Sequence, residues 1–254
     1  MRHKKPIESI YELDTFETIL LDSIHPGGLE LTRHLVDRAG VGRDSILLDV
    51  ACGKGASARF LSQTYGCDVV GIDKSSNMLR SSQSKAIENV NKMMFLQGEG
   101  QFLPFLNSIF DFILFECTFS IFENKKNVSD EAFRVLKPGG KLIITDFYLK
   151  KNSPEGLANS IFPCAAGAVT EKEYKEIFQK SGFSEFFFED HSKELRKIYL
   201  DILLNFGSLE NFCMLLSQEK SAFEELGPRP ALFDYKNEDI KGKLGYGLLI
   251  LTKS

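Results

Sequence analysis

Apolar positions along the chain switch repeatedly between two periods. Short apolar runs at Ile46–Val50, Asp68–Asp73, Lys92–Gln97, Phe110–Glu116 and Lys141–Phe147 read as strands. Between them, Ala56–Tyr65, Ser76–Glu88 and Asn124–Leu136 repeat their apolar residues at helical spacing. Gly66 closes the first of these helices and Pro138-Gly139-Gly140 stops the last. Apolar strands alternating with helices predict a parallel sheet covered on both faces. Ligands of such sheets gather beyond the carboxyl ends of the strands.

The pattern changes on either side of this core. "ESIYELDTFETILLDSI" predicts a helix, His25-Pro26-Gly27-Gly28 breaks it, and "LELTRHLVDRAG" resumes with Leu31, Leu35 and Ala39 on one face and Gly40 as a stop. After Phe147 an irregular stretch leads to the helix "TEKEYKEIFQKSG", with Thr170 as N-cap, and the strand "FSEFFFED". Residues 191–240 form a largely helical insertion before the closing strand "YGLLILT", longer than a usual connection. One domain over 1–254 is expected. It has a helical flap at 1–40, a core at 41–150 and the 191–240 insertion as a lid or a homodimer interface.

The totals narrow the choice of partner. A net charge of -4 gives nucleic acid no basic footprint, and His3-Lys4-Lys5, Lys125-Lys126 and Lys150-Lys151 are scattered. No apolar run approaches the roughly 20 residues that span a bilayer. Acids follow the basic N-terminus where a signal peptide needs an apolar region. A small-molecule partner in the cytoplasm is expected, with neither nucleic acid nor membrane. Cys52, Cys67, Cys117, Cys164 and Cys213 are odd in number and widely spaced, so they read as reduced thiols. No C-x-x-C or Cys/His cluster appears, and no metal is expected.

The stretch "ILLDVACGKGASARFL" holds the candidate chemistry. Gly53-x-Gly55-x-x-Ala58 would pass for a dinucleotide loop, whose pyrophosphate sits at the following helix N-terminus. Asp49, immediately before the loop, opposes such a phosphate. S-adenosylmethionine carries a sulfonium and an α-ammonium and no phosphate, which reverses the argument. The glycines let the backbone approach the ligand without a Cβ in the way.

"LLDVACGKG" resembles the first motif of class I S-adenosylmethionine-dependent methyltransferases. Ala51 replaces its first glycine, Cys52 lies within it, and Asp49, Gly53 and Gly55 stay in register. "VVGIDKSSNML" is similar to the second motif, with Asp73 as the acid that accepts the ribose hydroxyls, Lys74 beside it and Met78 near the adenine. "LQGEGQFLPF" resembles the third, which puts Glu99 at the adenine amino group, flanked by Gly100 and Gln101. "FDFILFECTFSIF" and "AFRVLKPGGKLIITDFY" are similar to the fourth strand with its loop and to the helix, turn and fifth strand. The resemblance implies a Rossmann-like, doubly wound α/β fold with a mostly parallel seven-stranded sheet and an antiparallel last strand. It also implies S-adenosylmethionine as cofactor, with Glu116 and Cys117 on the pocket rim.

The acceptor is less defined. "SIHPGGLELT" and Glu116-Cys117-Thr118-Phe119-Ser120 resemble segments of a methyltransferase subgroup without a known substrate. His25, Glu116, Tyr148 and Cys164 are the candidates for catalysis or acceptor contact, and a small molecule is the favoured acceptor. "PCAAGAVTEKEYKEIFQKSGF" resembles the C-x-G-G-A segment of arsenite methyltransferases, which bind trivalent arsenic with three thiolates. Cys164 stands in it and Cys213 offers a later thiol, but the early thiol of that set has no match. Metalloid methylation is therefore the alternative, and a non-catalytic S-adenosylmethionine-binding regulatory protein is the rival of another class.

Overall fold

The computed structural model describes residues 25–84, 93–151, 163–208, 211–212 and 243–254. Helix α1 (Gly28–Ala39) stops at Gly40, whose left-handed backbone lets its N–H reach the carbonyls of Val36 and Asp37. Next come β1 (Ile46–Val50), α2 (Ala56–Tyr65), β2 (Asp68–Asp73), α3 (Ser76–Ser84) and β3 (Met93–Gln97). They are followed by β4 (Phe110–Glu116), α4 (Lys125–Val135), β5 (Leu136–Leu149), β6 (Val169–Thr170) and α5 (Glu171–Lys180). The described chain closes with β7 (Phe183–Asp190), α6 (Ser192–Phe206) and β8 (Leu244–Lys253).

The strands run in the order β3-β2-β1-β4-β5-β8-β7, and the two-residue β6 pairs with β5 off this path. β1 to β5 pair in parallel, and β8 lies antiparallel between β5 and β7. All seven expected strands are present, with the expected antiparallel last strand; β6 is additional.

Alternation along each strand builds two cores. Leu47, Leu114, Ile143 and Leu248 pack on the face covered by α1, α2 and α6. Leu48, Ile113, Ile144 and Leu249 pack on the other, under α4 and α5. Neighbouring residues of one strand thus serve opposite cores. Helix α5 starts in a capping box, with Thr170 and Glu173 satisfying each other's backbone N–H.

Several boundaries differ from the sequence reading, two of them around the Pro138-Gly139-Gly140 turn. The helix at 124–136 is Lys125–Val135 with Asn124 as N-cap. Pro138-Gly139-Gly140 does not separate helix from strand: β5 begins at Leu136, and its register jumps from Leu136 opposite Phe110 to Lys141 opposite Phe112. The turn is absorbed as a bulge because Gly139 takes a positive φ of 76°. Residues 1–24 of the flap, 85–88 of the expected helix and most of the insertion, Cys213 included, lie outside the described residues. Among the described residues no helix is long and apolar enough to cross a membrane.

Candidate active site

The parallel strands end their carboxyl termini at one edge, and three acids meet there. Asp49 sits one residue before the end of β1, Asp73 ends β2 and Glu116 ends β4. Asp49 and Glu116 follow Leu47 and Leu114 at two-residue spacing, so both side chains face the α1 side of the sheet. Asp49 is only 3% exposed. Burial first, then the charges of Glu116 and Asp73, hold its carboxyl well above the ordinary range. Its Oδ2 has no hydrogen-bond partner.

Asp73 organises the glycine loop. Its Oδ2 accepts from the Gly53 N–H at 2.8 Å and its Oδ1 from the Ser75 N–H at 2.8 Å. The loop needs left-handed backbone at Ala51, Gly53 and Gly55. A Cβ on Gly55 would come within 2.7 Å of the Phe95 ring, whereas one on Gly53 would meet nothing within 4 Å. The loop is therefore packed below and open at Gly53. Cys52 turns towards Gly71, and burial, with Asp49 and Asp73 beside it, pushes its thiol far up. It stays a neutral thiol.

The remaining motif positions cluster beyond β2 and β3. Lys74 is exposed and its carbonyl accepts from Gln97, while Met78 is buried at the start of α3. Glu99 bridges to Phe102 and accepts from the Gln101 amide at 2.9 Å. Gly100 lies tight against Phe122, 2.9 Å from where its Cβ would be. An open depression of about 490 Å3 lies beside this turn, between Gln101–Leu103 and the α4 residues Asn127, Asp130 and Glu131.

On the opposite side of Glu116, α1 closes over the strand ends. The Thr32 hydroxyl donates to Glu116 Oε1 at 2.6 Å. His25 Nε2 lies 3.4 Å from both that oxygen and the Thr32 hydroxyl. All three side chains are buried. His25-Pro26-Gly27-Gly28 is the predicted turn, and it also delivers an imidazole to the site.

Cys117, directly after β4, has a positive φ of 57° that turns its side chain inward. Its Sγ lies 3.0 Å from that of Cys164, in a short 3-10 turn at Pro163–Ala165. Burial and this contact push the Cys117 thiol up. Cys117 thus faces another thiol, a role its place among the expected cofactor contacts did not suggest. Ser120 holds the same corner. Its N–H and hydroxyl reach the buried Asp146 carboxylate at 2.6 and 2.7 Å, and its hydroxyl also meets the Cys164 carbonyl.

Tyr148 does not join the group. It packs at right angles to Phe188, with ring centroids 5.1 Å apart, on the face opposite Glu116. The tyrosine beside Glu116, Cys117 and Asp146 is Tyr246 of β8, whose phenol burial, and then their charges, push well up. Tyr246 is fully buried, and its hydroxyl has only the Thr145 hydroxyl and the Cys117 thiol beside it, neither in good hydrogen-bond geometry. Only the cross-strand pairing of Tyr246 with Phe147 brings it there, and β8 reads in the sequence as a closing strand without a place in the sheet.

Residues 48–144 match the family model of the methyltransferase domain. Over these residues the chain carries a methyltransferase domain. Its class uses S-adenosylmethionine, and the orphaned Asp49 oxygen beside an open glycine loop fits a ligand that is cationic at that point. The chain is 31% identical over 167 residues to an uncharacterized protein of Haemophilus influenzae, covering 63% of this chain and 66% of the relative. It is 30% identical over 163 residues to the sarcosine/dimethylglycine N-methyltransferase of Halorhodospira halochloris, covering 63% of this chain and 58% of that one. The chain thus spans less than two thirds of these relatives' lengths. Its fold superposes with a TM-score of 0.74 and 20% identity on phosphoethanolamine N-methyltransferase 2 of Haemonchus contortus, solved with phosphomonomethylethanolamine and S-adenosylhomocysteine. That match covers 96% of this chain and 56% of the other.

Proposed function

We propose that this chain transfers a methyl group from S-adenosylmethionine to a small-molecule acceptor. The observation that carries the reading is Asp49: a buried carboxylate oxygen without a partner, next to two further acids, at the mouth of an open glycine loop. A buried charge is costly unless it is paired, so the site is built for a positive group. S-adenosylmethionine, when bound, supplies an activated methyl group and that positive charge. Asp49, Gly53 and Gly55 would hold its amino-acid end, Asp73 its ribose, and Glu99, Gly100, Gln101 and Met78 its adenine. Ala51, Cys52, Lys74 and Cys117 would contribute position rather than charge.

The acceptor side belongs to Glu116, His25 and Thr32. Burial of this cluster excludes water, and a fixed acceptor orientation supplies much of the acceleration of such a transfer. Glu116 Oε1 and His25 Nε2 are the atoms that can take a proton from an acceptor that must lose one. The acidic surroundings favour an amine, in keeping with the amine substrates in the names of the two N-methyltransferases above. A reducing compartment such as the cytoplasm suits Cys52, Cys67, Cys117 and Cys164, which are free cysteines among the described residues. The exposed Leu200, Leu203 and Leu204 of α6 support a covering or homodimer role for the 191–240 segment.

Calorimetry with S-adenosylmethionine, its demethylated product and NAD tests the cofactor; labelled turnover over a panel of small amines tests the reaction. Tight NAD binding without S-adenosylmethionine binding would overturn the reading. Cofactor binding with no turnover on any panel member would favour the regulatory alternative. The 3.0 Å approach of Cys117 and Cys164 favours a second reading, a thiophilic metalloid acceptor. Turnover stimulated by arsenite and abolished by Cys164→Ser would establish it.

A further inference from the structure

A second cluster of metal-type side chains lies outside this site. His34 is on α1, Glu189 is near the end of β7, and His191 follows β7 directly before α6. One ring nitrogen of each histidine and one oxygen of Glu189 all lie within 4.8 Å of one another. Glu189 Oε1 is 2.8 Å from His191 Nε2 and 3.3 Å from His34 Nε2. Sequence spacing could not show this, because His34 is more than 150 residues from the other two.

His191 is the telling member. It is 5% exposed, its Nε2 faces only the Glu189 carboxylate, 2.8 Å away, and its Nδ1 has no hydrogen-bond partner. The residue is held firmly, since its N–H donates to the Tyr246 carbonyl at 2.7 Å and its carbonyl accepts from Glu194. A buried imidazole with one nitrogen unpartnered and the other set against a carboxylate is costly, and a metal ion shared by that nitrogen and Glu189 removes part of the cost.

We propose that His34, Glu189 and His191 bind a divalent transition-metal ion of the zinc class. Two imidazoles and one carboxylate form a three-ligand set that leaves a fourth position for water. Bonds of roughly 2.0–2.2 Å in a tetrahedron put ligand atoms a little over 3 Å apart. The observed spacings require only that the half-exposed His34 swing slightly. The second oxygen of Glu189 stays with Arg38, whose Nη1 is 3.9 Å away. Imidazole and carboxylate together select zinc, cobalt, nickel or copper over calcium or magnesium. The ion would fasten α1 to the β7–α6 corner, two residues along the helix from Thr32, and so fix the helix that carries Glu116's partner.

Chelator-treated full-length protein titrated with Co2+ gives the test. One equivalent should produce the visible absorption of a nitrogen–oxygen site, without a sulfur-to-cobalt band, and Zn2+ should displace it. His34→Ala, on the exposed side, should weaken Co2+ binding about 10-fold or more and leave the metal-free melting temperature unchanged. Glu189→Gln should act in the same direction, and Cys164→Ser should change nothing. Added Zn2+ should raise the melting temperature of the parent and not of His34→Ala. Absence of saturable 1:1 binding would overturn the proposal and leave a histidine–carboxylate ion pair. Binding that survives His34→Ala and disappears with Cys164→Ser would also overturn it, assigning the metal to the thiols.

Discussion

The hydroxyl of Thr32 donates to Glu116 Oε1 at 2.6 Å and so ties the first turns of α1 to the end of β4. Thr32→Val keeps the shape and removes the donor. A hydrogen bond to a charged group contributes about 1.5–3 kcal/mol, so the melting temperature should fall accordingly. Affinity for S-adenosylmethionine should hardly move, while kcat/KM for the acceptor drops. Equal losses in cofactor binding would show that α1 serves the cofactor and not the acceptor.

Asp49→Asn should improve the empty protein and spoil it as a binder. The folded pKa of Asp49 is raised, so the folded state holds a proton that the unfolded chain has already released. Stability from this group is present below the ordinary carboxyl value and is lost as pH rises towards the raised one. The neutral amide removes that loss. Thermal melts at pH 7 should show a more stable variant, and calorimetry a weaker cofactor complex. A destabilised variant would mean that Asp49 is already compensated by a cation within the fold.

Asp146 should govern stability in mildly acidic solution. Burial raises its carboxyl to about 6, against the lowering effect of Ser120, the Phe147 N–H and Lys125. The proton account agrees: the single hydroxyl proton of Ser120 cannot serve both Asp146 and the Cys164 carbonyl. A protonated Asp146 can donate to Ser120 and free its proton for Cys164. Stability should therefore fall by up to about 3 kcal/mol as pH rises from the ordinary carboxyl value through about 6. Asp146→Asn mimics the protonated acid and should flatten this dependence; a parallel pH curve in denaturant titrations would refute the assignment.

Tyr246→Phe separates function from folding at one atom. The phenol hydroxyl is buried with only Thr145 and Cys117 beside it and no well-formed hydrogen bond, and a group left unsatisfied in this way costs about 1–3 kcal/mol. Its removal should hold or raise the melting temperature. If the hydroxyl donates to a bound acceptor, kcat/KM falls while cofactor affinity stays constant. A variant that loses stability would show that the hydroxyl is paired in solution.

The strand ends were legible because two local signals coincide there. Ile46–Val50, Asp68–Asp73 and Phe110–Glu116 are apolar runs bounded by glycine or polar residues, and each is observed with those limits. The acids Asp49, Asp73 and Glu116 follow from that placement. For Tyr148 period-two alternation already indicates the packing observed: it puts the ring opposite Phe147 and so away from Cys117. Tyr246, the Cys117–Cys164 pair and the His34–Glu189–His191 cluster depend on which strands and turns become neighbours. No local period encodes that, since antiparallel insertion of β8 decides it.

That insertion also sets the order of assembly. β8 follows β7 in the chain yet lies between β7 and β5, with eight of its ten residues buried. During vectorial synthesis β5 and β7 are made first, and neither can pair with the other at their final separation. Both then present open hydrogen-bonding edges, the form of nascent chain most prone to wrong partners. β8, made after both, works as a keystone. Gly245→Ala, which would drive a methyl to within 2.3 Å of the Tyr148 ring, should therefore unseat the keystone in the finished sheet and leave both flanking edges open.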